Sequence, residues 1–376
     1  MDDSYYMKRA LELAAKGSGY TSPNPMVGSV IVKNGKIIGE GYHHRYGDKH
    51  AEVVAIESAV ESVEGATLYC NLEPCSHNIP EKKTPPCTLR IMQEKIGRVV
   101  IANRDPNPYV NGSGIHMLEQ KGVKITTGVL EKEAALLNEK YFKFIRTGLP
   151  FVHLKIAQSM DGRIATSNGN SRWITNGNAL QRVHWMRSEY DVVLVGVNTV
   201  VKDDPSLTVR LVPGRNPYRV VLDDKLVIPE NSKLINDEFQ HKTIIFTVQS
   251  AEHPRVRELL QREIQVITID PDSHGRVNIA SVLERLAELK IASVLVEGGG
   301  EIFTSFIRER LFDKVSIFIA PILIGNGIQS VGDLGIRSLS DALRLVDVKT
   351  ELIDHQILVE GYREKSQVLN EKAETP

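Results

Sequence analysis

Apolar residues recur along this chain in two rhythms, every three or four positions and every second position, and their alternation predicts a layered α/β protein. Met7, Ala10, Leu11 and Ala14 share one face of a helix over residues 4–16, and Gly17 stands where a C-terminal cap belongs. Strands follow over residues 27–32 and 37–42, joined by the two-residue turn Asn34-Gly35. A helix is predicted over 49–60, with Val53, Val54 and Ile56 packing inward, so that His50 and Glu52 fall in its first turn. Strands at 66–72, 98–102 and 123–127 then alternate with helices at 87–95, around 115–120 and over 131–145.

The turn-rich run Arg146-Thr147-Gly148-Leu149-Pro150 breaks this pattern, and a second α/β alternation begins after it. Its strands are predicted at 151–157, 192–195, 218–222, 243–247, 266–269, 293–296 and 315–319. Its helices are predicted at 178–189, 253–262, 279–289 and 302–310. The expected organisation is one domain over 1–147, a second over 148–365 and a polar tail over 366–376.

Composition agrees with two ordinary globular domains. The chain has 376 residues, 41% hydrophobic and 25% charged, too long for one small core. A net charge of −1 gives no global basic field for nucleic acid or an acidic membrane. Three cysteines, an odd number, argue against a disulfide framework and for a reducing compartment. No signal-peptide pattern is read at the N-terminus, and no apolar run approaches the ~20 residues of a membrane span. A cytoplasmic protein acting on a small molecule is expected.

The candidate chemistry lies in His50-Ala51-Glu52, Pro74-Cys75 and Pro86-Cys87. One His and two Cys are the ligand set of zinc deaminases, in which a glutamate two residues after the His stays off the metal and shuttles protons. Three protein ligands leave a fourth tetrahedral position open, the mark of a catalytic rather than a structural zinc. Each residue alone has a blander reading, a satisfied polar residue for the His and a small buried apolar one for each Cys. Both ligand cysteines are expected to open helices, where the helix dipole favours thiolate. Cys70 is expected mid-strand, in the core.

In the second half, Val294-Leu295-Val296-Glu297-Gly298-Gly299-Gly300 is a strand running through three glycines into a helix, a candidate phosphate turn. A G-x-G-x-x-G fingerprint is absent after the first strand. Lys155, Asp161, Asp203 and the arginines Arg172, Arg187 and Arg210 are candidate ligand contacts.

Longer motifs carry a resemblance. Thr21-x-Pro23-Asn24-Pro25-x-Val27-Gly28, His50-Ala51-Glu52, Leu72-Glu73-Pro74-Cys75-Ser76-His77, Thr84-Pro85-Pro86-Cys87 and Arg104-Asp105-Pro106-Asn107-Pro108 are similar to the N-terminal half of the bifunctional riboflavin-biosynthesis deaminase–reductases. Lys155-x-Ala157-x-Ser159-Met160-Asp161-Gly162-Arg163, Trp173-Ile174-Thr175, Asp203-Asp204-Pro205-x-Leu207-Thr208-x-Arg210 and Glu297-Gly298-Gly299 resemble that family's reductase half. The resemblance implies a cytidine-deaminase-like α/β/α domain followed by a dihydrofolate-reductase-like α/β domain.

It also implies roles. His50, Cys75 and Cys87 would hold zinc, and Glu52 would move protons. Asn24, His43, His77 and Lys83 would meet the deaminase substrate; Lys82 competes with Lys83, and His44 with His43. Ala157, Trp173, Thr199, Asp203, Gly298, Gly299 and Gly300 fall at NADPH positions. Ser171, Arg187, Leu207, Arg210 and Glu297 fall at reductase substrate positions, the two arginines suiting a 5′-phosphate. Lys155 or Asp203, read as standing at strand ends beside the cleft, would supply the reductase proton. A homo-oligomer is expected. The eleven residues between Cys75 and Cys87 make a longer gap than the family's usual one. Loop length costs little, ~0.6 kcal/mol per doubling, so zinc binding is expected to survive it.

Overall fold

The structure is a computed structural model that describes residues 2–76, 84–171 and 177–364. The chain divides into two compact units, Met1–Gly148 and Leu149–Pro376.

In the first unit α1 (Asp3–Ala15) leads into β1 (Gly28–Lys33), β2 (Lys36–Tyr42), α2 (Ala51–Glu57), β3 (Thr67–Leu72), α3 (Cys87–Gln93), β4 (Arg98–Asn103), α4 (Ser113–Gln120) and β5 (Lys124–Thr127). It closes with α5 (Glu131–Leu137) and α6 (Glu139–Thr147). The strands form one sheet in the order β2-β1-β3-β4-β5, antiparallel at β2-β1-β3 and parallel from β3 to β5. Period-two alternation gives each face its own core. Ile31, Leu68, Cys70, Val99 and Ile101 pack with Ala55 and Ile56 of α2, Ile91 of α3 and Leu118 of α4. Val30, Val32, Tyr69 and Val100 pack with Met7 and Ala10 of α1 and Ala134 of α5. At Gly28 the sheet meets α1 so closely that a Cβ would lie 2.0 Å from the Ala10 carbonyl oxygen.

The helix expected over 131–145 is two helices. Asn138 leaves helical geometry at φ −103, ψ 21. Its side chain accepts from the Met26 amide at 2.8 Å and donates to the Met26 carbonyl at 2.9 Å, tying the break to the segment after Pro25. The helix expected over 49–60 is shorter. It begins at Ala51, with His50 as its N-cap, and stops at Glu57.

In the second unit β6 (Phe151–Ser159), β7 (Arg163–Thr166), α7 (Gly177–Glu189), β8 (Val192–Gly196), α8 (Val197–Asp203), β9 (Tyr218–Leu222), β10 (Thr243–Thr247), α9 (Pro254–Gln261) and β11 (Gln265–Thr268) come first. They are followed by α10 (Ile279–Glu288), β12 (Ser293–Gly298), α11 (Gly300–Arg308), β13 (Lys314–Ala320), β14 (Gly327–Gln329), β15 (Leu345–Ile353) and β16 (Gln356–Arg363). Nine strands form one sheet, β11-β10-β9-β8-β12-β6-β13-β16-β15, parallel up to β13 and antiparallel at β13-β16-β15. β14 pairs β7 in a separate ribbon. Phe151, Val193, Val195, Val221 and Leu295 pack with α7 and α9, while Val152, Leu154, Val192, Leu194 and Val294 pack with α10 and α11. Helices on both faces of a mostly parallel sheet leave ligand space at the carboxyl ends of the strands.

The sequence pattern does not predict α8, β7, β14 or the β15–β16 hairpin. α8 has seven residues and β7 four, too short to show a period. β15 carries an irregularity between Val346 and Lys349 that interrupts its alternation. Among the described residues, no helix is long and apolar enough to cross a membrane.

Candidate active sites

The first site forms where α2 and α3 start. His50 caps α2 in extended geometry, and Cys87 is the first residue of α3. Cys75 lies in the segment after β3, not at a helix start as expected. The ligand atoms of His50, Cys75 and Cys87 all lie within 4.8 Å of one another. His50 Nδ1 is 3.5 Å from Cys75 Sγ and 3.3 Å from Cys87 Sγ. Tetrahedral zinc with Zn–S of about 2.3 Å and Zn–N of about 2.0 Å puts sulfur and nitrogen about 3.5 Å apart, so the donor set fits that ion. The Cys87 amide donates to Cys75 Sγ at 3.3 Å, a bond that favours thiolate.

Thr84 Oγ1 lies 3.1 Å from His50 Nε2. Since Nδ1 faces the two sulfurs, Nε2 carries the hydrogen and Thr84 fixes the ring. Glu52 is 3% exposed in the first turn of α2, and burial pushes its carboxyl up from the ordinary range. Glu73, two residues before Cys75, is held differently. It accepts from the amides of Gly112, Gly114 and Ile115 at 2.9–3.2 Å and of Asp105 at 3.3 Å, pinning the segment that carries Cys75 to the start of α4. Gly114 is required there, because a Cβ would lie 2.2 Å from the Pro74 carbonyl oxygen.

Asn24 and His43 meet: Asn24 Nδ2 is 3.2 Å from His43 Nε2, and His43 Nδ1 is 3.1 Å from the Lys49 carbonyl oxygen. A carbonyl only accepts, so Nδ1 carries the hydrogen and Nε2 accepts from the Asn24 amide. Burial holds the His43 imidazole below its ordinary pKa, which keeps this neutral form. His44 instead stacks on Tyr42 at 4.0 Å, so the two neighbouring histidines separate. His77, Lys82 and Lys83 lie outside the described residues.

The second site is a cavity of about 520 Å³ at the carboxyl ends of β8, β9 and β12 and along β6. Lys155, Ala157, Ser171, Thr199, Asp203, Glu297 and the three glycines Gly298, Gly299 and Gly300 line it. Gly299 adopts φ +88, and a Cβ on Gly298 would sit 2.8 Å from Thr199 Oγ1. The turn therefore needs glycine, and the first turn of α11, which starts immediately after it, lines the cavity too. A phosphate-bearing dinucleotide fits such a cradle, and the volume is that of ordinary ligand pockets, about 300–1,000 Å³.

Lys155 is mid-strand in β6 and Asp203 ends α8, so neither stands at a strand end as expected. Ser171 Oγ lies 3.3 Å from Asp203 Oδ1. Arg187 does not line the cavity. Its guanidinium is bidentate to Glu297 at 2.6 and 2.7 Å and also donates to the Thr208 carbonyl at 3.2 Å. The pair is 11% and 6% exposed at its side chains. Burial works against both charges, yet Arg187 leaves the Glu297 carboxyl below its ordinary range. Burial holds the Lys155 ammonium below its ordinary 10.5, with Glu297 opposing that shift and Arg187 adding to it. Leu207, at φ +52, and Arg210, which donates to Thr208 Oγ1 at 3.0 Å, are also outside the cavity wall. Trp173 and Arg172 lie outside the described residues.

Thr84 and Glu73 fall inside the sequence motifs without an assigned role, and only their partners reveal one. The pairing of Arg187 with Glu297 has no local signal, since 110 residues separate them.

A zinc-type donor set with a buried glutamate in one unit, and a glycine-turn cavity in a doubly wound sheet in the other, define a deaminase joined to a reductase. Residues 1–103 match the cytidine and deoxycytidylate deaminase zinc-binding region, and residues 150–359 match the RibD C-terminal domain. The chain is 44% identical to the riboflavin biosynthesis protein RibD of Aquifex aeolicus over 95% of its own length and 97% of that protein's. The solved Acinetobacter baumannii RibD superposes with a TM-score of 0.86 at 33% identity, covering 96% of this chain and 99% of that one. A Thermotoga maritima diaminohydroxyphosphoribosylaminopyrimidine deaminase/5-amino-6-(5-phosphoribosylamino)uracil reductase gives 0.83 at 40% identity, covering 96% and 98%. The chain belongs to the RibD family of riboflavin biosynthesis. It is a bifunctional enzyme with a zinc-binding deaminase region and an NADPH-using reductase domain.

Proposed function

We propose that the first unit hydrolyses the 2-amino group of 2,5-diamino-6-ribosylamino-4(3H)-pyrimidinone 5′-phosphate and that the second reduces the ribosyl chain, giving 5-amino-6-(5-phosphoribitylamino)uracil. The observation that carries this reading is the convergence of His50, Cys75 and Cys87 within 4.8 Å, with buried Glu52 two residues after the histidine. The solved Thermotoga maritima relative, whose name states both activities, supports the choice of substrates.

His50, Cys75 and Cys87 would hold zinc, which would supply the Lewis acidity that makes water nucleophilic near neutral pH. Glu52 would pass one proton of the attacking water to the ring nitrogen and the second to the departing amine, so that ammonia leaves and the oxygen stays. Asn24, with its Nδ2 turned to His43, offers Oδ1 to an N–H of the substrate. His43 thus acts through Asn24 as a positioning residue.

In the second unit, NADPH supplies the hydride. Gly298, Gly299 and the start of α11 would hold its phosphates, and Ala157, Thr199 and Asp203, which line the same cavity, would meet the rest of the cofactor. As the C1′–O4′ bond of the ribose opens, Lys155 gives a proton to O4′. Lys155 is better suited to this than Asp203, since burial makes its ammonium a readier donor. Arg187 holds the Glu297 carboxylate against the cavity wall, from which it can accept from a ribose hydroxyl. Arg210, at a substrate position by the family resemblance, is proposed to meet the 5′-phosphate.

Cysteines that form no disulfide among the described residues suit the cytoplasm, and a homo-oligomer is the proposed assembly. The reading is tested by offering the diaminopyrimidinone phosphate to zinc-loaded enzyme. Without NADPH only the deaminated compound is expected by mass, and with NADPH the deaminated and reduced one. Ammonia from cytidine but none from this substrate would contradict it.

A further inference from the structure

The cavity of the second unit extends well beyond its reacting end. Lys155 of β6 and Glu297 of β12 stand at that end, and the glycine turn follows Glu297. The wall continues past β8 to Leu222 and Asp224 at the end of β9, and to Arg276, Val277 and Ile279 between β11 and α10. From β6 to β9 the sheet order counts three strand spacings, about 14 Å at ~4.8 Å each. A dinucleotide with its phosphates on the glycine turn and its nicotinamide toward Lys155 would lay its adenosine at this far end.

Asp272 organises the segment that closes the far end. Its Oδ1 accepts from the amides of His274 at 2.8 Å and Arg276 at 2.9 Å, and its own amide donates to the Arg276 carbonyl at 2.7 Å. Gly275 supplies the φ of +74 that the turn requires. Asp224 Oδ1 accepts from the Val277 amide at 2.6 Å, which ties the turn to the end of β9. Backbone donors thus engage both carboxylates. The Arg276 guanidinium is held less tightly. Its Nε lies 4.0 Å from Asp272 Oδ2, beyond hydrogen-bond reach, and the side chain is 43% exposed.

Among the described residues three cations line the cavity, Lys155, Lys202 and Arg276. Lys155 belongs to the reacting end. Lys202 Nζ lies 3.6 Å from where a Cβ on Gly169 would sit, beside the segment that carries Ser171. Arg276 is the guanidinium of the far end.

We propose that Arg276 reads the 2′-phosphate of NADPH and so sets the preference for NADPH over NADH. The assignment rests on the proposed NADPH site in this cavity. A planar guanidinium can bind a phosphate through two parallel hydrogen bonds, whereas a 2′-hydroxyl offers it no charge. Dinucleotide sites elsewhere use an acid for the 2′-hydroxyl and an arginine for the 2′-phosphate. Both residue types occur here, but the Asp224 carboxylate already holds Val277, and the arginine is the group left to choose. Glu309, after α11, lines the same end. Burial and the neighbouring Asp272 push its carboxyl up, which lessens its repulsion of a phosphate.

Calorimetric titration of the full-length zinc-loaded protein with adenosine 2′,5′-bisphosphate and with 5′-AMP reads this end of the cavity apart from turnover. Wild type is expected to bind the bisphosphate roughly tenfold or more tightly than AMP, the worth of a charge-assisted contact. Arg276→Ala should weaken the bisphosphate by that factor and leave AMP within about twofold. Arg276→Lys, which keeps the charge without the fork, should retain part of the difference. In reduction assays of Arg276→Ala the KM for NADPH should rise while kcat and the KM for NADH hold. Lys202→Ala should keep the wild-type ratio of the two ligands. A bisphosphate preference that survives Arg276→Ala, one that disappears in Lys202→Ala, an equal loss of both ligands, or a wild type without the preference overturns the assignment. Reduction by wild type with neither NADPH nor NADH would instead overturn the reductase reading on which it rests.

Discussion

The zinc region and the reductase region are built on opposite plans. The zinc region draws its key groups from one contiguous stretch, His50 to Cys87, with those two residues at the starts of two seven-residue helices. Short polar ties fix it: Thr84 to His50, Glu73 to the α4 amides, His43 to Asn24. The reductase region draws on β6, β8, α8 and β12, spread over residues 155–300, and places a bidentate ion pair, Arg187–Glu297, beside a buried lysine. The first depends on a metal to satisfy its donors. The second depends on mutual neutralisation of charges that burial opposes.

That difference predicts where each region breaks. The largest effect is expected at the ion pair. Arg187→Ala leaves Glu297 buried without its partner and should cost roughly 3–5 kcal/mol in the stability of the second unit. Thermal unfolding measures it, and deamination at temperatures below the transition should be unchanged. A loss under about 1 kcal/mol, the range of exposed pairs, would mean that the pair is not the structural centre of that region.

A second effect separates the regions by pH. Burial keeps the Lys155 ammonium below 10.5, so reductase kcat should fall as pH rises through that lowered value, before a free lysine would titrate. In Lys155→Arg, whose side chain stays protonated, this limb should vanish along with most of the turnover. The stability contribution has the opposite sense. The unfolded state binds this proton more readily than the folded one, so stability rises with pH from the lowered pKa up to 10.5. An alkaline limb unaffected by the substitution would remove Lys155 from the proton step.

The smallest effect is expected at His43. His43→Gln can still donate to the Lys49 carbonyl and accept from Asn24, whereas His43→Leu releases Asn24. The leucine variant should raise the deaminase KM about tenfold, the worth of one or two hydrogen bonds, with kcat and zinc content close to wild type. Equal KM values in the two variants would show that His43 does not orient Asn24.

Legibility in the sequence follows the same division. His50-Ala51-Glu52 and the two Pro-Cys pairs are readable because a metal site compresses its chemistry into short spacings. The buried strands β4, β8, β10 and β12 are readable because their apolar runs are nearly unbroken. The break at Asn138 is not, because nothing local shows that its side chain takes the Met26 backbone in place of a continued helix. Arg187 reads as a phosphate ligand because a lone arginine in sequence has no visible partner. β15 escapes because its bulge breaks the period and its apolar residues face outward.

The central claim is that two separable chemistries reside on one chain, and Glu52→Gln tests it most directly. The variant is assayed on the diaminopyrimidinone phosphate and, separately, on its deaminated product with NADPH, with zinc content measured alongside. The account predicts full zinc occupancy, deamination reduced by a factor of about 10²–10⁴ and wild-type reduction of the deaminated compound. Loss of both activities at full zinc occupancy, or deamination at the wild-type rate, would contradict it.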